Sequence, residues 1–210
     1  MAFALEVVVI RVTGGAFRGR NLRVPAEGVR PTPSLVRGAV FSILGGLWSD
    51  DPGDAVEPAE GRVWLDLFAG SGVMTVEALG RGFATAVCVE KARPVFSVLR
   101  RNLEDLALLP RVRCVAGDAR RFLLDDKDAL YDLIYMDPPF ALTELRDAVL
   151  EAAGARPRLT PGGVLLLEQD ARHNPPPSAG CLVQFMARRW GQTQVCFYHV
   201  EENRSLPRIV

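Results

Sequence analysis

Imidazole and thiolate chemistry have little to work with in this chain of 210 residues. Two histidines, His173 and His199, are thin material for a metal centre or for imidazole catalysis. The four cysteines, Cys88, Cys114, Cys181 and Cys196, form no C-x-x-C pair, so neither a zinc site nor a redox motif is indicated and buried reduced thiols are expected. Lysine is nearly absent: apart from Lys91 and Lys127, the 25 basic residues are arginines, a bias that coding composition explains as well as phosphate binding does. No run approaches the ~18 uninterrupted apolar residues of a membrane span, and residues 1–10 carry Glu6 with no basic region before it. A soluble, unexported, cytoplasmic protein without a metal is therefore expected, with carboxylates carrying most of its polar chemistry.

What is present suffices for one full core, since 49% of residues are hydrophobic and 24% charged. The formal charge is zero but unevenly placed. Up to Trp48, Arg11, Arg18, Arg20, Arg23, Arg30 and Arg37 stand against Glu6 and Glu27 alone, so a basic N-terminal arm adjoins a mildly acidic body. Such an arm suits a polyanion, although a solvated basic face would look the same.

Periodicity divides the chain into an arm over 1–48, a Pro- and acid-rich linker over 49–61 and a body over 62–210. In the arm, alternation on either side of Gly14-Gly15 predicts a hairpin whose turn is rich in arginine. A helix follows, with Thr32 as its cap, Pro33 at its first position and Leu35, Val36, Val40, Ile43, Leu44 and Leu47 on one face. The body alternates apolar runs near 63–67, 85–89, 112–116, 130–136 and 164–167 with helical spacings such as Phe96, Leu99, Leu103 and Leu106. This predicts an α/β fold with an open, mostly parallel sheet. The two runs around Trp190-Gly191-Gln192 have no helix between them and predict an antiparallel hairpin at its edge, after the stiff Pro175-Pro176-Pro177 connector.

The chemistry is concentrated at predicted strand ends. Asp66-Leu67-Phe68-Ala69-Gly70-Ser71-Gly72 joins a strand to a helix, with glycines where backbone would approach a ligand. Thr75 replaces the third glycine of the dinucleotide fingerprint, and Asp66 would repel a pyrophosphate but attract an amino group. A tight turn without a ligand is the simpler alternative. Glu90 ends the second strand and can accept from two ribose hydroxyls, or stand at the surface beside Lys91. Asp118 can accept from an adenine amino group or cap the helix from Ala119 onward. Three acids opening on one crevice describe a nucleoside with an amine-bearing tail. The sharpest signal is Asp137-Pro138-Pro139-Phe140 after the fourth strand. Its prolines would hold Asp137 and the proline carbonyls in one orientation, aimed at the hydrogens of an exocyclic amine, while Phe140 offers a stacking face.

These motifs resemble the class I S-adenosylmethionine-dependent methyltransferases that modify amino groups, over about residues 63–200. The arm extends the likeness: Val12-Thr13-Gly14-Gly15, Arg18-Gly19-Arg20, Arg30-Pro31-Thr32 and Val36-Arg37, then Phe41, look like the N-terminal signature of the RsmD-like bacterial 16S ribosomal RNA guanine-N2 methyltransferases. Gly38 and Phe17 depart from it, standing where Glu and Trp are common. The resemblance implies a Rossmann-like sheet of seven strands with an antiparallel last strand, S-adenosylmethionine as cofactor and 16S rRNA, within a small-subunit particle, as partner of a monomer. It implies a cofactor site of Asp66, Phe68, Ala69, Gly70, Gly72, Glu90, Lys91, Asp118 and Ala119. Asp137, Pro138, Pro139 and Phe140 would form the catalytic set, and Arg18, Arg20, Arg30, Thr32 and Arg37 would meet RNA. An adenine amino-methyltransferase of DNA and a non-catalytic RNA-binding assembly factor remain rivals, and a nicotinamide oxidoreductase is disfavoured by the missing glycine.

Overall fold

Both halves of the predicted hairpin form, and they pair antiparallel: β1 (Val7–Arg11) and β2 (Asn21–Pro25), with Val9 opposite Arg23 and Arg11 opposite Asn21. The protein is described here from a computed structural model covering residues 7–26, 31–48, 61–125 and 129–201. Arg30 and residues 49–60 of the expected linker lie outside the described residues. In the hairpin loop Gly15 adopts φ 68°, and a Cβ there would stand 2.5 Å from the backbone of Gly80. Only glycine suits both demands. The approach is sealed by the Ala16 N–H donating to the Gly80 carbonyl at 2.7 Å.

The arm helix, α1 (Ser34–Trp48), begins beyond the expected cap. The Arg37 N–H donates to the Pro33 carbonyl, while the Thr32 hydroxyl lies 3.1 Å from the Tyr135 hydroxyl instead of turning back on the helix. Its buried face is Val36, Arg37, Val40, Phe41, Leu44 and Leu47; Leu35, expected on that face, is 69% exposed.

The body is an eight-stranded sheet. Five strands are parallel: β3 (Val63–Asp66), β4 (Thr85–Glu90), β5 (Val112–Ala116), β6 (Tyr131–Met136) and β7 (Leu159–Asp170). They are joined by α2 (Val73–Gly80), α3 (Arg93–Asp105) with a 3-10 turn (Leu109–Arg111), α4 (Ala119–Asp125) and α5 (Thr143–Ala155). After β7 come β8 (Ser178–Ala179), β9 (Leu182–Trp190) and β10 (Thr193–Val200), all antiparallel. The order across the sheet is β5-β4-β3-β6-β7-β10-β9-β8, one strand more than the seven expected because β8 is a two-residue edge strand too short to show periodicity. The strand order reverses between the parallel neighbours β3 and β6, and their carboxyl ends open the crevice in which such sheets bind ligands.

Alternate residues of the central strands serve opposite faces. Trp64, Leu133, Tyr135, Val164 and Leu166 join α2, α3 and the arm in one core; Leu65, Ile134, Met136, Leu165 and Leu167 join α4 and α5 in the other. The first core contains Val12, Leu22, Val36, Val40, Phe41, Leu44 and Leu47, so the arm shares the interior of the body.

A buried ion pair fixes where the arm sits. Glu77 on α2, fully buried, accepts from Arg37 Nε at 2.9 Å, from the Thr13 N–H at 2.9 Å and from the Thr13 hydroxyl at 2.7 and 2.8 Å. The other Arg37 nitrogens donate to the carbonyls of Thr32 (2.6 Å) and Arg11 (2.7 Å). Arg37 is 1% exposed, so the RNA contact expected for it is corrected: every nitrogen of its guanidinium is spent inside the protein. Thr32, 4% exposed and turned to Tyr135, is likewise an interior group. Arg37→Ala leaves the buried Glu77 carboxylate with Thr13 and only the more distant Arg81 guanidinium, 3.6 Å away, and is expected to cost about 3 kcal/mol of stability, read from urea unfolding; a loss under about 1 kcal/mol would mean that the pair is dispensable.

Candidate active site

At the carboxyl ends of the parallel strands lies a cavity of about 720 Å³, within the range of small-molecule sites. Leu67, Phe68 and Gly70 bound it after β3, Glu90 and Lys91 after β4, Gly117, Asp118 and Ala119 after β5, and Asp137, Pro138, Pro139 and Phe140 after β6. Pro31 and Pro33 of the arm and Leu142 and Leu145 at the start of α5 complete the wall. The Asp137 segment and most of the residues expected to hold a cofactor thus share one cavity.

Asp66, Ala69 and Gly72 do not line it, and the placement expected of them is corrected. Asp66 is 1% exposed and its Oδ2 accepts from the Thr75 hydroxyl at 2.9 Å, beneath the loop. Oδ1 has no hydrogen-bond partner among the described residues. Burial pushes its carboxyl up to about 7, with the Thr75 hydrogen bond opposing and the Glu90 charge adding. Ala69 is buried, and Gly72 caps α2 with φ 84°, where a Cβ would meet Leu99 at 2.5 Å. These residues shape the loop from below, so that Phe68 and Gly70 face the cavity.

Glu90 is half-buried and held by the chain itself: the Gly70 N–H donates to Oε2 at 3.0 Å and the Ala92 N–H to Oε1 at 2.7 Å. A carboxylate offers about four acceptor sites, so both oxygens keep capacity for a diol. Asp118 takes up the capping alternative while also lining the cavity. Its Oδ1 accepts from the Arg121 N–H at 3.2 Å, capping α4, and its Oδ2 accepts from Lys91 Nζ at 3.1 Å on the cavity rim. Burial acts to raise its carboxyl, but those hydrogen bonds win and lower it. In the Asp137 segment Pro138 is buried, Phe140 half-buried, and the Pro139 carbonyl already accepts from the Leu142 N–H at 2.9 Å. That bond stiffens the turn but occupies one of the two proline carbonyls expected to face a substrate amine.

Sequence reasoning missed Glu168. It lies in β7 just after the apolar run, with 2% exposure, lines the cavity, and its Oε2 accepts from the Tyr135 hydroxyl. The signal was an acid after the apolar run 164–167, obscured because β7 continues three residues beyond that run. The cavity carboxylates are thus Glu90, Asp118, Asp137 and Glu168, with Asp66 outside the set. Among the described residues no group of His, Cys, Asp or Glu is arranged to hold a metal ion, and no helix is long and apolar enough to cross a membrane.

The structure separates the exposed arginines of the arm. Arg18 faces a second cleft of about 720 Å³, between β1 and the start of α1, which shares Pro31 and Pro33 with the first. Arg20 lies on the other side, with Arg23, against Asn102 and Asp105 of α3.

Asp66 has a pH signature. Its folded value near 7 lies above the unfolded value of 3.8, so between them the folded state holds a proton that the unfolded state has lost. Stability falls as pH rises through that window. Relative to the parent, Asp66→Asn is expected to gain stability from about pH 4 to about pH 7 and to level off above, measured by urea midpoints. A pH-independent difference would contradict the assignment.

The family model described as "Conserved hypothetical protein 95" matches residues 10–199. Ribosomal RNA small subunit methyltransferase D of Escherichia coli (strain K12) is 36% identical over 141 residues, spanning 67% of this chain and 65% of its own length. YlbH of Bacillus subtilis (strain 168), provisionally named an rRNA methyltransferase, is 29% identical over 90% of this chain and 98% of its own. The solved structure of Escherichia coli YhhF, provisionally described as a methyltransferase, superposes with a TM-score of 0.74 at 28% identity, covering 92% of this chain and 98% of that one. The fold described above thus recurs in a solved chain of nearly the same extent, and with the family model matching nearly end to end, this chain belongs to the conserved hypothetical protein 95 family and is an RsmD-like methyltransferase.

Proposed function

We propose that this enzyme transfers a methyl group from S-adenosylmethionine to the exocyclic N2 amine of a guanine in small-subunit ribosomal RNA, acting as a cytoplasmic monomer on a small-subunit particle. The observation that carries the reading is the Asp137-Pro138-Pro139-Phe140 segment sharing one cavity with Glu90 and Asp118. The names of the relatives, ribosomal RNA small subunit methyltransferase D among them, support the choice of substrate.

The cavity fits the cofactor. Glu90, oriented by two backbone N–H groups, suits the ribose diol. Asp118 and Ala119 suit the adenine edge, and Phe68 and Gly70 border the remaining space toward Asp137. When bound, S-adenosylmethionine supplies a methyl group already activated by a positive sulfonium.

The protein's work is then alignment. A guanine amine is a weak nucleophile because its lone pair is delocalised into the ring. Acceptors on its two hydrogens favour a more pyramidal nitrogen, and that role is assigned to Asp137 with the Pro138 carbonyl, both of which line the cavity. Asp137 would accept the N2 proton released as the amine gains the methyl group that S-adenosylmethionine supplies, the thioether leaving with the bonding electron pair. Phe140 stacks on the base, a contact worth about 1–3 kcal/mol in nucleic-acid sites. Holding the reactants at attack distance contributes up to about 7–11 kcal/mol. The guanine must leave its stack to enter, which costs a few kcal/mol and favours a loop or distorted helix. Arg18 and Arg20, exposed on the arm, meet phosphates; Arg30 is assigned the same role from the sequence resemblance alone.

Small-subunit rRNA incubated with enzyme and labelled S-adenosylmethionine is expected to yield N2-methylguanosine by nucleoside mass spectrometry; label in DNA adenine, or none, refutes the proposal. Asp137→Ala should abolish transfer with cofactor affinity retained in calorimetry, whereas Glu90→Ala should weaken cofactor binding. Equal turnover by the Asp137 variant would leave a binding module as the better description. Replacing Arg18 and Arg20 together should flatten the dependence of log K on log salt by about 0.7–0.9 per lost phosphate contact; an unchanged slope would place RNA elsewhere.

A further inference from the structure

Glu168 is an expensive residue to keep where it is. It is 2% exposed, on a central strand, and lines the cavity beside the Asp137 segment. A buried carboxylate is tolerated only when hydrogen-bonded, and this one is held by design. The Tyr135 hydroxyl donates to Oε2, and since a carboxylate can only accept, the Thr32 hydroxyl must in turn donate to Tyr135, 3.1 Å away. Tyr135 is fully buried, and burial together with the charges of Glu168 and Asp137 keeps its hydroxyl protonated. Thr32, Tyr135 and Glu168 therefore form a one-way relay that sets the Glu168 head group.

The register places that head group beside the reacting position. In the parallel β6–β7 pair Tyr135 stands opposite Leu166 and Met136 opposite Leu167. β6 ends at Met136; continuing that register by one residue would bring Asp137 level with Glu168, on strands about 4.8 Å apart, and the charges of both act on the Tyr135 hydroxyl. A base entering between them meets two carboxylates side by side. Guanine presents two adjacent donors on its Watson–Crick edge, N1–H and N2–H2. Adenine and cytosine each present one amine beside an unprotonated ring nitrogen, which a carboxylate repels.

We propose that Glu168 is the base-selecting residue of this enzyme: its carboxylate accepts the guanine N1–H while Asp137 accepts from N2, with Tyr135 and Thr32 as positioning residues. The proposal rests on the guanine reading above and adds to it the group that enforces the choice of base. It also ties that choice to the arm, because Thr32 precedes α1 and its carbonyl is held by the buried Arg37.

The test uses 2-aminopurine, which keeps the 2-amino group but has an unprotonated N1. Once the modified guanosine has been mapped, rRNA carrying guanine or 2-aminopurine at that position is prepared by ligation, free and in reconstituted subunits. The parent should prefer guanine. Glu168→Gln exchanges an acceptor for an amide that can donate to N1. It should lower kcat/KM on guanine about 10- to 100-fold and raise it on 2-aminopurine, collapsing or inverting the ratio. Tyr135→Phe, which removes the hydroxyl that donates to the carboxylate, should weaken the preference without inverting it. Cofactor affinity by calorimetry reports whether each variant is folded; should Glu168→Gln not fold, Glu168→Asp, which keeps the carboxylate, must retain the guanine preference at lower turnover. If Glu168→Gln loses activity on both bases in equal proportion, or Glu168→Asp loses the preference, Glu168 is structural and the inference is wrong. If the parent transfers nothing to guanine-containing rRNA, the functional reading itself has failed and this inference falls with it.

Discussion

The pairing of Arg37 with Glu77 inside the protein is the constraint on which the functional surfaces depend. A buried ion pair is a weak source of net stability, since desolvating both charges offsets most of their attraction. What it supplies is position. Glu77 sits on the helix that follows the Asp66–Gly72 loop, and it reaches both parts of the arm, the hairpin through Thr13 and α1 through Arg37. Arg37 passes the restraint to the carbonyls of Arg11 and Thr32. Apolar contacts of Val40, Phe41 and Leu44 could slide along the sheet face; three directed donors on one carboxylate cannot. Pro31 and Pro33, flanking Thr32, are consequently walls of both clefts.

Much of the architecture was legible because its signals are periodic. The parallel strands, the closing hairpin and the amphipathic α3 follow from apolar spacing, and the strand-end placement of Glu90, Asp118 and Asp137 follows from the strands. The misreadings have a common origin. The resemblance of the arm's motifs assigns Arg37 and Thr32 to RNA, whereas their partners lie 40 and 103 residues away in sequence, inside the protein. Asp66 was placed in the crevice because it ends a strand, but parity turns it to the inner face, where Thr75 receives it. Glu168 was overlooked because β7 outlasts its apolar stretch. Sequence spacing shows which residues share an element; which buried charge finds which partner is settled by elements packed across long separations.

A polyanionic substrate and a cavity walled by Glu90, Asp118, Asp137 and Glu168 set an electrostatic problem. Phosphates cannot approach four carboxylates closely, and in a low-dielectric recess that repulsion is stronger than in water. The layout resolves it by distance. The carboxylates lie at strand ends, where a sulfonium, an ammonium and neutral N–H donors are welcome, while Arg18 faces the adjoining cleft across the Pro31–Pro33 ridge. A nucleotide straddling that ridge would leave its phosphate on the basic side and offer only its base to the acidic one. The same field that would draw in a cationic methyl donor would thus admit a flipped base stripped of its backbone and exclude a stacked duplex, so a preference for an unpaired base is built into the charge pattern before any base-specific hydrogen bond is made.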